Sequence, residues 1–382
     1  MLEEILLRER HKLETVFVQT PTITFTRESL VSASVSTLIL HSQPITNGLL
    51  PDSVTALELA AGFKLPLGEL PSTIHSLTLN NTRSRRVKVL PIVSKSITSL
   101  TFGDHFAQSL KPGSLPPCLI SLVLGNSFDR TLTPGVLPPS LQSLVLGHSF
   151  NQILQPGSLP STLTSLTVGH RFDQRVGEEL HIGIDYHIGP LYFTNMMSLT
   201  RLKMDGFRQP IIEGMFPQTL TELDLGEQFE HIFNLIPSNV HTLTLTFKEI
   251  KRFISMPPSV KHVHFIPEDS YIDLHKDGHT YRFNNSLESV HIHREINPYA
   301  IDWNVNMHRN IKLMVSAMPN VANLYLRYNK DHIHYKGTDV DKSFRVSRRS
   351  GKSTIRYVTN FHGPVEVAKT MDGNKPTTCI VI

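Results

Sequence analysis

Between Leu115 and Gln174 the chain repeats itself every 22 residues. Leu115-Pro116-Pro117-Cys118-Leu119-Ile120-Ser121-Leu122-Val123-Leu124-Gly125 returns as Leu137-Pro138-Pro139-Ser140-Leu141-Gln142-Ser143-Leu144-Val145-Leu146-Gly147. A third copy runs through Leu159-Pro160, Leu163 and Leu166-Thr167-Val168-Gly169. A fixed period of this length outranks local propensity, because each copy must be one structural unit stacked on its neighbours. The minimal template is aliphatic-x-x-aliphatic-x-apolar. Its second aliphatic recurs at Leu38, Leu57, Leu77, Leu100, Leu122, Leu144, Leu166, Leu202, Leu223, Leu243, Val263, Val290 and Leu324. The expectation is a β-rich solenoid of stacked short parallel strands with few helices, in about 13 coils of roughly 22 residues.

The physics of one coil follows from its residues. Leu-x-Leu alternates with period two, so it reads as a short strand with both leucines on one face. One such strand cannot bury that face alone; stacked copies can. The Leu-Pro pairs (Leu115-Pro116, Leu137-Pro138, Leu159-Pro160) mark the entry to each strand, since proline fixes φ and holds the preceding residue extended. The Pro-Gly pairs mark a tight turn elsewhere in the coil that needs φ > 0. Phe63, Phe106, Phe128, Phe150, Phe172 and Phe229 each lie six residues beyond their strand leucine, and Phe207 lies five beyond. Aromatics at one angular position predict a buried spine.

The motif Leu-Pro-x-Ser-Leu-x-Ser-Leu-x-Leu-Gly-x-x-Phe-x-Gln, clearest at 137–152, resembles the FNIP repeat, a variant of the leucine-rich repeat. The clear match covers 94–174, and weaker copies extend it to 35–327. His105, Ser127, Ser149 and Arg171 stand where a leucine-rich repeat would place a buried Asn ladder, and the Phe spine is expected in its stead. The resemblance implies an interaction scaffold. Some relatives join such repeats to an F-box, which makes a ubiquitin-ligase substrate adaptor the alternative function. The amphipathic segment 1–34, with Leu2, Ile5, Leu6 and Leu13, is short for that element and reads as an N-terminal helix or cap.

The domain reading is a cap over 1–34 and a solenoid over 35–327, with insertions near 173–198, 266–286 and 294–320. A basic C-terminal cap or tail follows over 328–376, then a terminus of C-a-a-X type over 377–382. The formal charge is +4, and 328–382 alone, with 10 Lys/Arg and 5 Asp/Glu, contributes +5. Cys118 and Cys379 are too few for a disulfide framework or a cysteine zinc site. No secretory leader or long apolar run is visible, so the cytoplasm is the expected compartment.

Alternation also predicts which side chains leave the core. In the regular copies the outward face is Ser99-Thr101-Gly103, Ser121-Val123-Gly125, Ser143-Val145-Gly147 and Ser165-Thr167-Gly169, small and chemically quiet. Further along it becomes Arg201, Lys203 and Asp205, then Glu222 and Asp224, His262 and His264, His291 and His293, Tyr325 and Arg327. Charged, aromatic and imidazole groups on one sheet face suit recognition of a protein partner of unknown identity. The paired histidines have a spacing compatible with a metal ion, but no cysteine or strand acid completes a site, so no metal or cofactor is expected. Gly351-Lys352-Ser353 lacks the upstream glycine of a phosphate loop, since Val346 stands there, and no catalytic constellation appears. The chain therefore reads as a monomeric, non-enzymatic scaffold with no nucleic-acid role. Cys379-Ile380-Val381-Ile382 fits C-a-a-X prenylation at Cys379, and the basic tail would add a second membrane signal at a cytosolic face.

Overall fold

The computed structural model describes residues 15–18, 35–40, 45, 49–60, 70–80, 94–174, 180–181, 187–188, 193, 196–211, 213–226, 229, 235–246, 258–266, 288–295, 323–329, 342–349, 352–359, 370–372 and 375–377. The chain divides into two units, Met1–Gly206 and Phe207–Ile382. No α-helix occurs among the described residues.

The first unit is a parallel sheet whose strands follow chain order: β1 (Thr15–Val18), β2 (Thr37–Leu40), β3 (Ala56–Leu59), β4 (Ser76–Leu79), β5 (Ser99–Phe102), β6 (Ser121–Val123), β7 (Ser143–Val145) and β8 (Ser165–Val168). A two-stranded hairpin, β9 (Leu180–His181) with β10 (His187–Ile188), comes next in the chain, and β11 (Arg201–Met204) then pairs directly with β8. Thus 36 residues separate Leu166 from Leu202, yet their strands are neighbours. The register is a single row: Leu38, Leu57, Leu77, Leu100, Leu122, Leu144, Leu166 and Leu202 stand opposite one another. None of these eight is more than 2 % exposed. Each contributes about 1.5–3 kcal/mol of burial, and no single coil could keep that row dry.

The loops show why each motif residue is there. The N–H of Leu119, Leu141 and Leu163 donates to the carbonyl of Pro116, Pro138 and Pro160, closing a turn into each strand. Ser140 and Thr162 cap the previous coil: Ser140 Oγ donates to Leu119 O and Thr162 Oγ1 to Leu141 O, both at 2.8 Å. At the Pro-Gly corners Gly113, Gly135 and Gly157 adopt φ of 76°, 82° and 80°, the left-handed region that a Cβ disfavours. Beyond the strand, Phe106, Phe128, Phe150 and Phe172 donate N–H to Gly103, Gly125, Gly147 and Gly169 at 3.0–3.2 Å. This Gly-x-x-Phe turn aims the ring inward. The rings are at most 1 % exposed and stack coil on coil, with centroids 5.9, 6.1 and 6.1 Å apart and planes within 11°. The spine is as expected here; Phe63 lies outside the described residues.

The second unit is built alike. Strands β12 (Glu222–Asp224), β13 (Thr242–Thr246), β14 (His262–Ile266), β15 (Ser289–Glu295) and β16 (Asn323–Asn329) run parallel. Their register row is Leu223, Leu243, Val263, Val290 and Leu324. Phe207 stacks on Phe229 at 5.9 Å. Direction then reverses: β17 (Lys342–Arg349) pairs antiparallel with β16, and β18 (Lys352–Thr359) antiparallel with β17. A separate hairpin joins β19 (Thr370–Asp372) to β20 (Lys375–Thr377).

Three expectations need adjusting. Every one of the 13 template positions lies on a strand, but turns of about 22 residues number about seven, so the count of 13 uniform coils is too high. The template detects strands, and strands of 19- to 36-residue spacing satisfy it equally. Residues 15–18, read within a helix or cap, form a further parallel strand; Leu2, Ile5, Leu6 and Leu13 lie outside the described residues. Gly125, Gly147 and Gly169 are buried rather than on the outward face, because the chain has already begun its turn. A Cβ built on Gly147 would lie 2.3 Å from Gly125 O, so successive coils touch there backbone to backbone.

Candidate functional site

The outward face of the regular coils is as quiet as expected: Ser121, Val123, Ser143, Val145, Ser165 and Thr167 are all half-buried, packed flank to flank between strands. Polar chemistry sits instead on the turn beyond. Asn126 Nδ2 donates to Asp104 Oδ1 (2.9 Å), and the Asn126 carbonyl side-chain oxygen accepts from His148 N–H (3.3 Å). The imidazoles of His148 and His170 then stack with centroids 5.2 Å apart. Past the phenylalanines a second ladder runs. Asp129 Oδ1 accepts from Asn151 N–H (3.0 Å) and Gln152 Nε2 (2.8 Å); Asn151 Oδ1 accepts from Asp173 N–H (3.1 Å) and Gln174 Nε2 (2.9 Å). Backbone bonds do what a buried Asn ladder would do, since Ser127, Ser149 and Arg171 donate N–H to Asp104, Asn126 and His148 of the preceding coil. The sequence signal for the second ladder was an Asp or Asn at one position of the period, Asp129, Asn151 and Asp173; the first ladder's position changes from Asp104 and Asn126 to His148 and His170.

In the first unit, Arg201 is exposed on β11, while Lys203 and Asp205 are half-buried and form an ion pair, Nζ to Oδ1 at 3.0 Å. Both side chains are about two-fifths exposed (41 % and 36 %), so water screens the pair and it orients the side chains more than it stabilises them.

In the second unit, Glu222 is exposed and Asp224 half-buried. One carboxylate oxygen of Asp224 accepts from Gly226 N–H at 3.0 Å, which fixes the side chain over the strand's exit. The register sets Asp224, Thr244, His264, His291 and Tyr325 in one row and Glu222, Thr242, His262, Ser289 and Asn323 in the next. His262 and His264 are half-buried. The structure thus brings His264 beside His291, but His262 beside Ser289, so four imidazoles do not line up in a single row. His293 stands opposite Arg327. The side chains of His291, His293, Tyr325 and Arg327 are outside what the structure describes. Beside His262, Lys261 Nζ lies 2.8 Å from Glu288 Oε1. The hydrogen bond and charge of Lys261 hold the Glu288 carboxyl below the usual carboxylate range, with a further small contribution from His262.

Among the described residues no three His, Cys, Asp or Glu are grouped to hold a metal ion, and no helix is long and apolar enough to cross a membrane. Cys118 is exposed and unpaired in any disulfide. Cys379 lies outside the described residues.

The FNIP repeat model matches residues 86–127, 128–171 and 197–228. Among solved structures the chain is similar to CroV588, described as a circular LRR protein: 24 % identity and a TM-score of 0.50 over 80 % of this chain and 45 % of that one. It therefore spans less than half of that protein's length. An internalin from Listeria monocytogenes is 12 % identical, with a TM-score of 0.36 over 70 % of this chain and 84 % of that one, too distant to bear an argument. No curated protein matches. The chain carries FNIP repeats at three positions on a leucine-rich-repeat-like β-solenoid.

Proposed function

We propose that this chain is a non-catalytic scaffold that docks a protein partner on the outward strand face of its second unit. A repeat solenoid of this kind suits that role, because stacked coils offer a rigid sheet whose outward residues vary without disturbing the core. One observation carries the reading. The outward register rows hold Ser, Thr and Val through the regular coils of the first unit, and Asp224, Glu222, His262, His264, His291 and Tyr325 in the second. The rows behind them are aliphatic in both units, leucine throughout in the first and Leu223, Leu243, Val263, Val290 and Leu324 in the second, so the change is not a demand of the fold. Arg201, Lys203 and Asp205 on β11 are proposed as contacts in their own right. Where Ile382 is the terminal residue, Cys379 is the proposed prenylation site, carrying the scaffold to a membrane surface.

The test is affinity purification of the full chain beside two variants. Alanine at Asp224, His264 and Tyr325 should abolish a partner that the wild-type chain retains, with the thermal midpoint unchanged. Serine at Val123 and Val145 should retain it. Loss through the Val123 and Val145 variant instead would place the docking face elsewhere. Membrane partitioning of Cys379→Ser equal to wild type would remove the anchor.

A further inference from the structure

The reversal of direction at β17 and β18 leaves a charge arrangement that a stable sheet would not choose for itself. Arg345 of β17 stands directly opposite Arg356 of β18, and Arg349 directly opposite Lys352. Like charges placed opposite one another across a strand pair destabilise it. Both pairs have the same parity along β17, so they belong to one face of the hairpin. Arg327 of β16, opposite Ser343, has that parity too. No Asp or Glu occurs in β16, β17 or β18; the nearest acid of that parity among the described residues is Glu295 of β15, opposite Asn329 and so diagonal to Arg327, two strands away from the Arg345–Arg356 pair. The other parity of the hairpin holds Phe344 opposite Tyr357 and Val346 opposite Ile355, in register with Leu326 and Leu324 of β16, which is the pattern of the core face.

We infer that Arg327, Arg345, Arg349, Lys352 and Arg356 mark an anion-receiving face that takes an acidic, extended segment of a protein partner. The inference rests on the docking face proposed above and extends it by the row Asp224, Thr244, His264, His291, Tyr325, Arg345, Arg356. The two basic pairs are four residues apart along β17, about 13 Å. An extended peptide repeats its same-face side chains every ~7 Å, so carboxylates four residues apart meet both pairs. A uniform polyanion, nucleic acid or lipid surface, would meet Asp224 at the other end of the same row, with Glu222 in the row beside it. A protein segment need not.

The experiment is fluorescence anisotropy of a labelled peptide of alternating Glu and Ser on the full chain. The wild type should bind it saturably. Arg345→Thr with Arg356→Thr should weaken binding by about tenfold or more, while Arg345→Lys with Arg356→Lys keeps most of it. Arg348→Thr removes the same charge from the opposite parity and should leave binding within about threefold. Absence of peptide binding, or equal binding by the Thr pair, overturns the inference. So does tighter, variant-sensitive binding of phosphatidylserine–phosphatidylcholine vesicles or of oligouridylate. If the Thr pair alters the circular dichroism spectrum, Arg349→Thr at the second pair carries the test. Loss of a captured partner by the His264 and Tyr325 variant but not by the Thr pair would sink this inference and leave the docking face standing.

Discussion

Gly147→Ala adds one methyl group, and it should be among the most damaging single changes in the regular coils. The added Cβ would lie 2.3 Å from Gly125 O, 2.5 Å from Gly125 C and 2.7 Å from Asn126 Cα, all backbone of the preceding coil. Ordinary contact begins at 3.4 Å, so the two coils must part by about 1 Å at this point. Overpacking of that size costs about 1–3 kcal/mol. Two bonds cross the same gap, Ser149 N–H to Asn126 O at 2.9 Å and His148 N–H to Asn126 Oδ1 at 3.3 Å. Losing both adds about 0.5–1.5 kcal/mol each, for a total of about 2–6 kcal/mol. Gly135→Ala is the matched control: its φ is +82°, but nothing lies within 4 Å of its Cβ. That change should cost only the left-handed backbone strain, about 1–2 kcal/mol. Urea unfolding of both variants and the wild type gives the comparison. The reasoning fails if Gly147→Ala is no worse than Gly135→Ala. It fails more plainly if Gly147→Ala stabilises by the about 0.4–1 kcal/mol that a stiffened unfolded chain would supply.

Phe128→Ala, which removes a fully buried ring stacked between Phe106 and Phe150, should cost about 3–5 kcal/mol by the same urea assay. Ser158 is 1 % exposed and its hydroxyl has no hydrogen-bond partner among the described residues, while the preceding coil carries Val136 at the same position. Ser158→Val should therefore raise the unfolding free energy by about 1 kcal/mol or more, and a lower midpoint would contradict the assignment. The Glu288 carboxyl, held low by Lys261, is a depressed acid, so the pair's stabilisation is present above the ordinary glutamate range and is lost as pH falls through the lowered value. An NMR titration should find Glu288 ionising below an ordinary glutamate, and Lys261→Met should move it back up.

The repeat was legible because its physics is local and periodic. Leu122, Leu144 and Leu166 had to share a face once their spacing was seen, and Phe128, Phe150 and Phe172 followed from the same period. What the period could not show is which residue types act between coils rather than within one. Asp129 and Gln152 look like ordinary surface residues until the stacking brings them to 2.8 Å. Gly147 reads as an outward strand residue until the turn is seen to start there. The C-terminal hairpin was hidden for a different reason: its strands pair antiparallel and lack the Leu-x-Leu template, so the basic residues of 342–356 read only as a cap or tail. Of the candidate site, the residue types on each strand could be read in advance. Their register, which sets His264 beside His291 and Tyr325 beside Arg345, could not.

Amide hydrogen exchange on the full chain, alone and with its captured partner bound, tests the docking reading most directly. The account predicts added protection within 242–246, 262–266, 289–295 and 323–329, with 99–102, 121–123 and 143–145 unchanged. Protection confined to those regular coils, with the second unit's strands unaffected, would contradict it.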